Sequence, residues 1–218
     1  MKTNRRFHLS EKAKTTIPDE EQAFLKMIFE EWTRLIIDYS GRMEDEITGR
    51  TQWTHVGFLA IAAAKVGFPC MIEPQRGLPG EGDKRGRSDL EILERKRKWW
   101  YVEAERIHWD KSKNLPKKRI GESLNKALLS LQGLSSLSEH DRALTLSILL
   151  FEPLSIKEAE VFRTICKLGN RNWSFYAWQS FKISESIKHG DFLYVIVGKY
   201  WDPETFNRTK GRVLRNGR

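Results

Sequence analysis

Three acids on two short β-like segments are the residues best placed to do chemistry. Asp89 lies in SDLEIL (88–93), and Glu103 and Glu105 lie in WWYVEAERI (99–107). Side chains alternate faces along a strand, so Asp89 and Glu91 share one face. Trp99, Tyr101, Glu103 and Glu105 share another. A turn centred on Lys96 sets Leu93 opposite Trp99, Glu91 opposite Tyr101 and Asp89 opposite Glu103. That register gathers Asp89, Glu103 and Glu105 into one region, where like charges repel. Two arrangements relieve the repulsion. One is a solvent-facing side on which Lys and Arg pair with the acids. The other is a divalent cation, which takes oxygen ligands and neutralises them.

The charge distribution bears on that choice. Of the net +9, residues 84–119 carry a local +7, residues 1–14 carry +4 and residues 199–218 carry +4. Residues 15–83 sum to −6, and residues 120–198 balance. A polyanion such as nucleic acid is the economical partner for such zones. The central zone interleaves its cations with strands and aromatics, whereas the two ends read as a basic N-terminal arm and a basic C-terminal tail. A magnesium site beside a phosphate-binding surface is the usual arrangement for cutting a phosphodiester.

The elements that must position these acids follow from periodicity. Phe24, Leu25, Ile28, Trp32, Leu35 and Ile36 predict a helix from Asp19 to Tyr39, stopped at Ser40-Gly41. A second, almost wholly apolar helix is predicted over 51–66 with Gly67 as its stop. Residues 68–73 read as a strand and 74–87 as a loop rich in Gly and Pro. After the hairpin come a basic loop (108–119), an amphipathic helix (120–134), a buried strand (144–151), a helix (157–168) and strands over 173–181 and 192–200. This order predicts α/β layers around a mixed sheet in one domain: a basic arm over 1–18, a helical part over 19–66, an α/β core over 68–200 and a basic tail over 201–218.

Asp89, a hairpin and the triplet Glu103-Ala104-Glu105 resemble the signature of the PD-(D/E)XK nuclease superfamily. The Glu-x-Glu triplet is similar to that of the BamHI-type type II restriction endonucleases, with Glu105 where most of the superfamily has Lys. Ser88 stands where Pro is common. The resemblance extends in layout over residues 70–200 and implies a restriction-endonuclease-like core, a central mixed sheet flanked by helices, with an N-terminal helix. It implies that Asp89, Glu103 and the backbone carbonyl of Ala104 bind Mg2+, or another divalent cation such as Mn2+. Glu105 would bind metal or act as general base, and Lys126, Lys111 or Lys113 would hold the scissile phosphate. A further acid from the preceding helix is implied, with Glu46 chosen and Glu73 its rival.

Arg85 and Arg87 in the glycine-rich loop, with Lys111, Lys113, Lys117, Lys118 and Arg119, are the candidate nucleic-acid contacts. His55 is a lesser candidate for the site. The expected partner is double-stranded DNA, and a homodimer would cut both strands of a symmetric site, with the Trp32 helix or the late strands as interface. The expected activity is a type II restriction endonuclease. A repair or junction-resolving nuclease and a non-catalytic nucleic-acid-binding protein are the alternatives. No apolar run is long enough to span a bilayer. The opening residues are polar and basic rather than a signal peptide. Cys70 and Cys166 form no disulfide framework, so a reducing cytoplasmic setting is expected.

Overall fold

Asp19, Glu20 and Glu21 sit in the first turn of helix α2 (Asp19–Met43), where carboxylates favour the positive end of the helix dipole. Behind them Phe24, Leu25, Ile28, Phe29, Trp32, Leu35 and Ile36 are all buried, at the three-and-four spacing of one helix face. Each such side chain contributes about 1.5–3 kcal/mol of burial. The helix runs past Ser40-Gly41, because one glycine costs only about 1 kcal/mol in a helix. Helix α3 (Gln52–Lys65) stops where predicted. Gly67, at φ +94°, closes it with bonds from Gly67 N to Ala64 O (3.0 Å) and from Phe68 N to Ala63 O (2.9 Å).

A computed structural model of the chain describes residues 7–43, 52–72, 88–94, 98–107, 117–131, 137–151, 173–181 and 192–216. Its strands are β1 (Phe7–Leu9), β2 (Cys70–Ile72), β3 (Leu90–Glu94), β4 (Lys98–Ile107), β5 (Arg142–Phe151), β6 (Phe175–Phe181) and β7 (Phe192–Trp201). They form a seven-stranded mixed sheet in the order β1-β6-β7-β5-β4-β3-β2. β4 and β5 are parallel, joined across helix α4 (Lys117–Leu131), and the other pairs are antiparallel. On one face Trp100, Val102, Ala104, Leu144, Leu146 and Ile148 form a core with α2 and α3. On the other, Tyr101 and Trp201 pack with Leu128 and Leu131 of α4 and with Phe206 of helix α5 (Pro203–Asn216). The α/β class with helices on both faces is therefore as expected.

Both termini differ from expectation. The segment read as a basic arm contains β1, paired with β6, and helix α1 (Glu11–Thr16). Ser10 caps α1 by accepting from Ala13 N at 3.1 Å, and Phe7, Ala13 and Ile17 are buried anchors. The segment read as a basic tail contains α5, held by the fully buried Phe206. α4 begins three residues earlier than predicted, so Lys117, Lys118 and Arg119 form its first turn and not part of a loop. Trp32 is fully buried, and β7 lies between β6 and β5. The predicted loop 74–87 and helix 157–168 lie outside the described residues. No helix among the described residues is long and apolar enough to cross a membrane.

One buried acid ties the layers together. Glu21 is fully buried and accepts from Lys98 Nζ (2.7 Å), Arg142 Nε (2.7 Å) and the Tyr200 hydroxyl. Burial, and then Glu21 itself, raise the Tyr200 phenol well above its ordinary value. α2 is thus joined by charge to β4, β5 and β7 at the sheet end where β4 and β5 begin.

Candidate active site

The hairpin has the register the alternation predicts: Leu93 pairs with Trp99, Glu91 with Tyr101 and Leu90 with Val102. One step further, Asp89 and Glu103 interlock through the backbone. Asp89 N donates to Glu103 Oε2 at 3.1 Å, and Ala104 N donates to Asp89 Oδ2 at 2.8 Å. Both carboxyl groups are buried. Leu90, Val102 and Ala104 belong to the core against α2 and α3, so alternation directs Glu103 and Glu105 toward α4. Ser88 donates to Glu91 Oε1 at 3.2 Å, which engages the buried acid of β3 nearby.

This environment disfavours charge on Glu103. Burial first, then the neighbouring Asp89 carboxylate, push its carboxyl up to about 8. The Asp89 N–H and the Ser130 hydroxyl pull the other way, and Glu105 adds to the rise. A buried carboxyl of this kind holds a proton or attracts a cation.

Glu105 is paired differently. Lys126 Nζ lies 2.8 Å from Glu105 Oε1 and 2.9 Å from Oε2, and Lys126 is mostly exposed. The pair therefore adds little to stability, at most about 1 kcal/mol. Its interest is positional. Ser123, Lys126 and Ser130 fall at helical spacing along one stripe of α4, while Ile120, Leu124, Ala127, Leu128 and Leu131 anchor the helix. Glu105, the triplet's second acid, thus has an ammonium from α4 beside it. Beside Glu105 in register is Ser147, whose buried Oγ has no hydrogen-bond partner among the described residues.

Among the described residues no group of three or more His, Cys, Asp or Glu side chains is arranged to hold a metal. The acids form a pair, Asp89 and Glu103, plus a neighbour neutralised by Lys126. Two carboxylates nevertheless suit Mg2+, which keeps several waters and takes one or two carboxylates plus substrate oxygens. The raised Glu103 carboxyl fits such a cation. The Ala104 amide is buried in β4 between the two acids.

Glu46, its rival Glu73, Arg85, Arg87, Lys111 and Lys113 lie outside the described residues. Lys117 and Lys118 are placed on the first turn of α4, and Arg119 is exposed there. His55 is not part of the site. It is buried in α3, on the opposite face of the sheet, where burial and then Arg106 lower it to about 4. Sequence reasoning missed Ser130 and Ser147. Ser130 was detectable as the position one turn beyond Lys126; Ser147 carried no signal until β5 was paired with β4. Comparison with family models, with curated proteins and with solved structures returned no match.

Proposed function

We propose that this chain is a metal-dependent DNA endonuclease with a restriction-endonuclease-like core of the PD-(D/E)XK superfamily, most simply a type II restriction enzyme. The observation that carries the reading is the buried Asp89–Glu103 pair, interlocked through the backbone with Glu103 raised to about 8 beside the Glu105–Lys126 pair. Asp89 and Glu103, with the Ala104 carbonyl, would hold Mg2+ or Mn2+, and Glu46 is the proposed further ligand. A divalent ion bound there supplies Lewis acidity at the phosphoryl oxygens and lowers the pKa of water. Lys126 sets a positive charge at the rim, where it can turn from Glu105 to a scissile phosphate. Glu105 then has an oxygen available to accept a proton from the attacking water. The basic residues 84–119 supply sequence-independent attraction to the DNA backbone, and a homodimer in a cytoplasmic setting would place one such site on each strand. Repair and junction-resolving nucleases share this chemistry and differ in the DNA shape they accept.

A second reading, a nucleic-acid-binding protein that does not cut, is favoured by one observation. Glu105 is already neutralised by Lys126. Incubation with plasmid, with and without Mg2+, separates the two. Metal-dependent nicking that Glu103→Ala abolishes supports the enzyme. A salt-sensitive complex with no nicking supports the binding protein.

A further inference from the structure

We propose that a second cavity, distinct from the acidic pair, binds the phosphate group of a ligand up to mononucleotide size. The cavity, about 700 Å³, lies between α1, the start of β6, the end of β7 and α5. Three cations line it: Lys12, Lys199 and Arg208. One acid joins them, Asp202, and its Oδ1 already accepts from Thr205 N at 2.8 Å as the cap of α5. The charge therefore calls for an anion.

Lys199 is the central feature. It is half-buried on β7, and among the described residues it forms no ion pair. Its Nζ rests 4.1 Å from the centre of the Trp201 ring. Burial, and then the charge of Lys12, lower its affinity for its own proton, so an added anion would relieve both. Two hydroxyls in the wall are poised as donors. Ser10 Oγ accepts from Ala13 N (3.1 Å) and Ser174 Oγ accepts from Tyr200 N (3.0 Å), which leaves each hydroxyl proton to donate outward.

The ligand class follows from this balance. Arg208 is shared with Glu204 at 3.7 Å on the exposed rim, which leaves Lys12 and Lys199 facing one committed acid. Two such cations suit a group carrying close to two negative charges, as a phosphomonoester does, better than a carboxylate with one. The volume exceeds what inorganic phosphate needs and matches small-ligand pockets. The site does not depend on the hydrolytic reading. Lys199 shares a cross-strand row with Thr145 and Glu103, but two strand spacings, about 10 Å, separate its backbone from that of Glu103.

The test is calorimetric titration with inorganic phosphate, a deoxynucleoside monophosphate and a short DNA duplex lacking terminal phosphates, with Trp fluorescence in parallel because Trp173 and Trp201 line the cavity. Phosphate and the monophosphate should bind once per chain. Lys199→Met should weaken binding about tenfold or more, and Arg208→Ala, on the exposed side, should weaken it less. Lys26→Met, on exposed α2, should leave it unchanged. Duplex binding that needs Lys199 and is displaced by phosphate identifies the source as a polynucleotide strand. Binding of the monophosphate alone identifies a free nucleotide. Glu103→Gln should bind phosphate as wild type does even when nicking is lost, which separates this site from the acidic one. Absence of phosphate and monophosphate binding at millimolar concentration, or wild-type affinity in a folded Lys199→Met variant, overturns the proposal.

Discussion

Replacing Glu103 by Gln should make the metal-free protein more stable in alkali while abolishing cleavage. In chelated buffer the unfolded chain ionises Glu103 near 4.5, whereas the folded chain keeps the proton to about 8. Between those values the folded state binds more protons, so stability is greatest at acid pH and falls as pH rises through the window. The full separation corresponds to on the order of 5 kcal/mol. Residual solvent contact of the carboxyl reduces that sum. Gln keeps an acceptor for Asp89 N and never charges. The expected gain at about pH 9 is therefore ~2–4 kcal/mol, shrinking toward zero near pH 4.5. Urea denaturation followed by circular dichroism at both pH values measures it. Mg2+ should then restore stability to the wild type at pH 9 and do nothing for the variant. Parallel pH profiles for the two proteins, or a variant less stable than wild type at pH 9, would refute the account of Glu103 given above.

Other outcomes are equally open to measurement. Lys126→Met should lower the nicking rate by about tenfold to a hundredfold with little change in melting temperature, since the ion pair is exposed; an equal loss of stability would assign Lys126 a structural role. Glu21→Ala leaves Lys98 and Arg142 without their buried partner and should cost about 3–5 kcal/mol in urea denaturation. Gly198→Ala should be destabilising by about 1–3 kcal/mol or more, because a Cβ there would collide with the Phe175 ring lying across the strand. His55, lowered to about 4 in the folded chain, is near 6.5 when unfolded. The unfolded state binds more protons between those values, so stability should fall as pH drops from 6.5 toward 4. His55→Gln should flatten that limb in a pH series of melts.

The hairpin was the most legible part of the chain, because a two-residue period admits one pairing that keeps Trp100 and Val102 inward and Glu103 on the other face. The α2 helix was legible for the same kind of reason: seven buried positions repeat at helical spacing. The two ends were misread because each has few apolar anchors among many charges. Among the described side chains of α5 only Phe206 is fully buried, and in β1 and α1 the anchors are Phe7 and Ala13. Composition there speaks of solvent, while folding is decided by those few contacts. The start of α4 was missed because its first turn is Lys117-Lys118-Arg119, residues that look like a loop when they lie next to other cations. In the site, Asp89 and Glu103 were found from spacing. The partnership of Glu105 with Lys126 required the packing of α4 on β4, which no local pattern encodes.

The Glu21 junction also has a bearing on where the acids stand. Lys98 and Arg142 begin the two parallel strands, and Tyr200 lies near the end of the strand beside them. A single carboxylate at a helix start therefore fixes how far β4 can slide relative to its neighbours, five residues before Glu103 in the chain. Substitutions at Lys98, Arg142 or Tyr200 would be tolerated only in concert, and drift at any one would be read out midway along β4 as a displaced carboxylate.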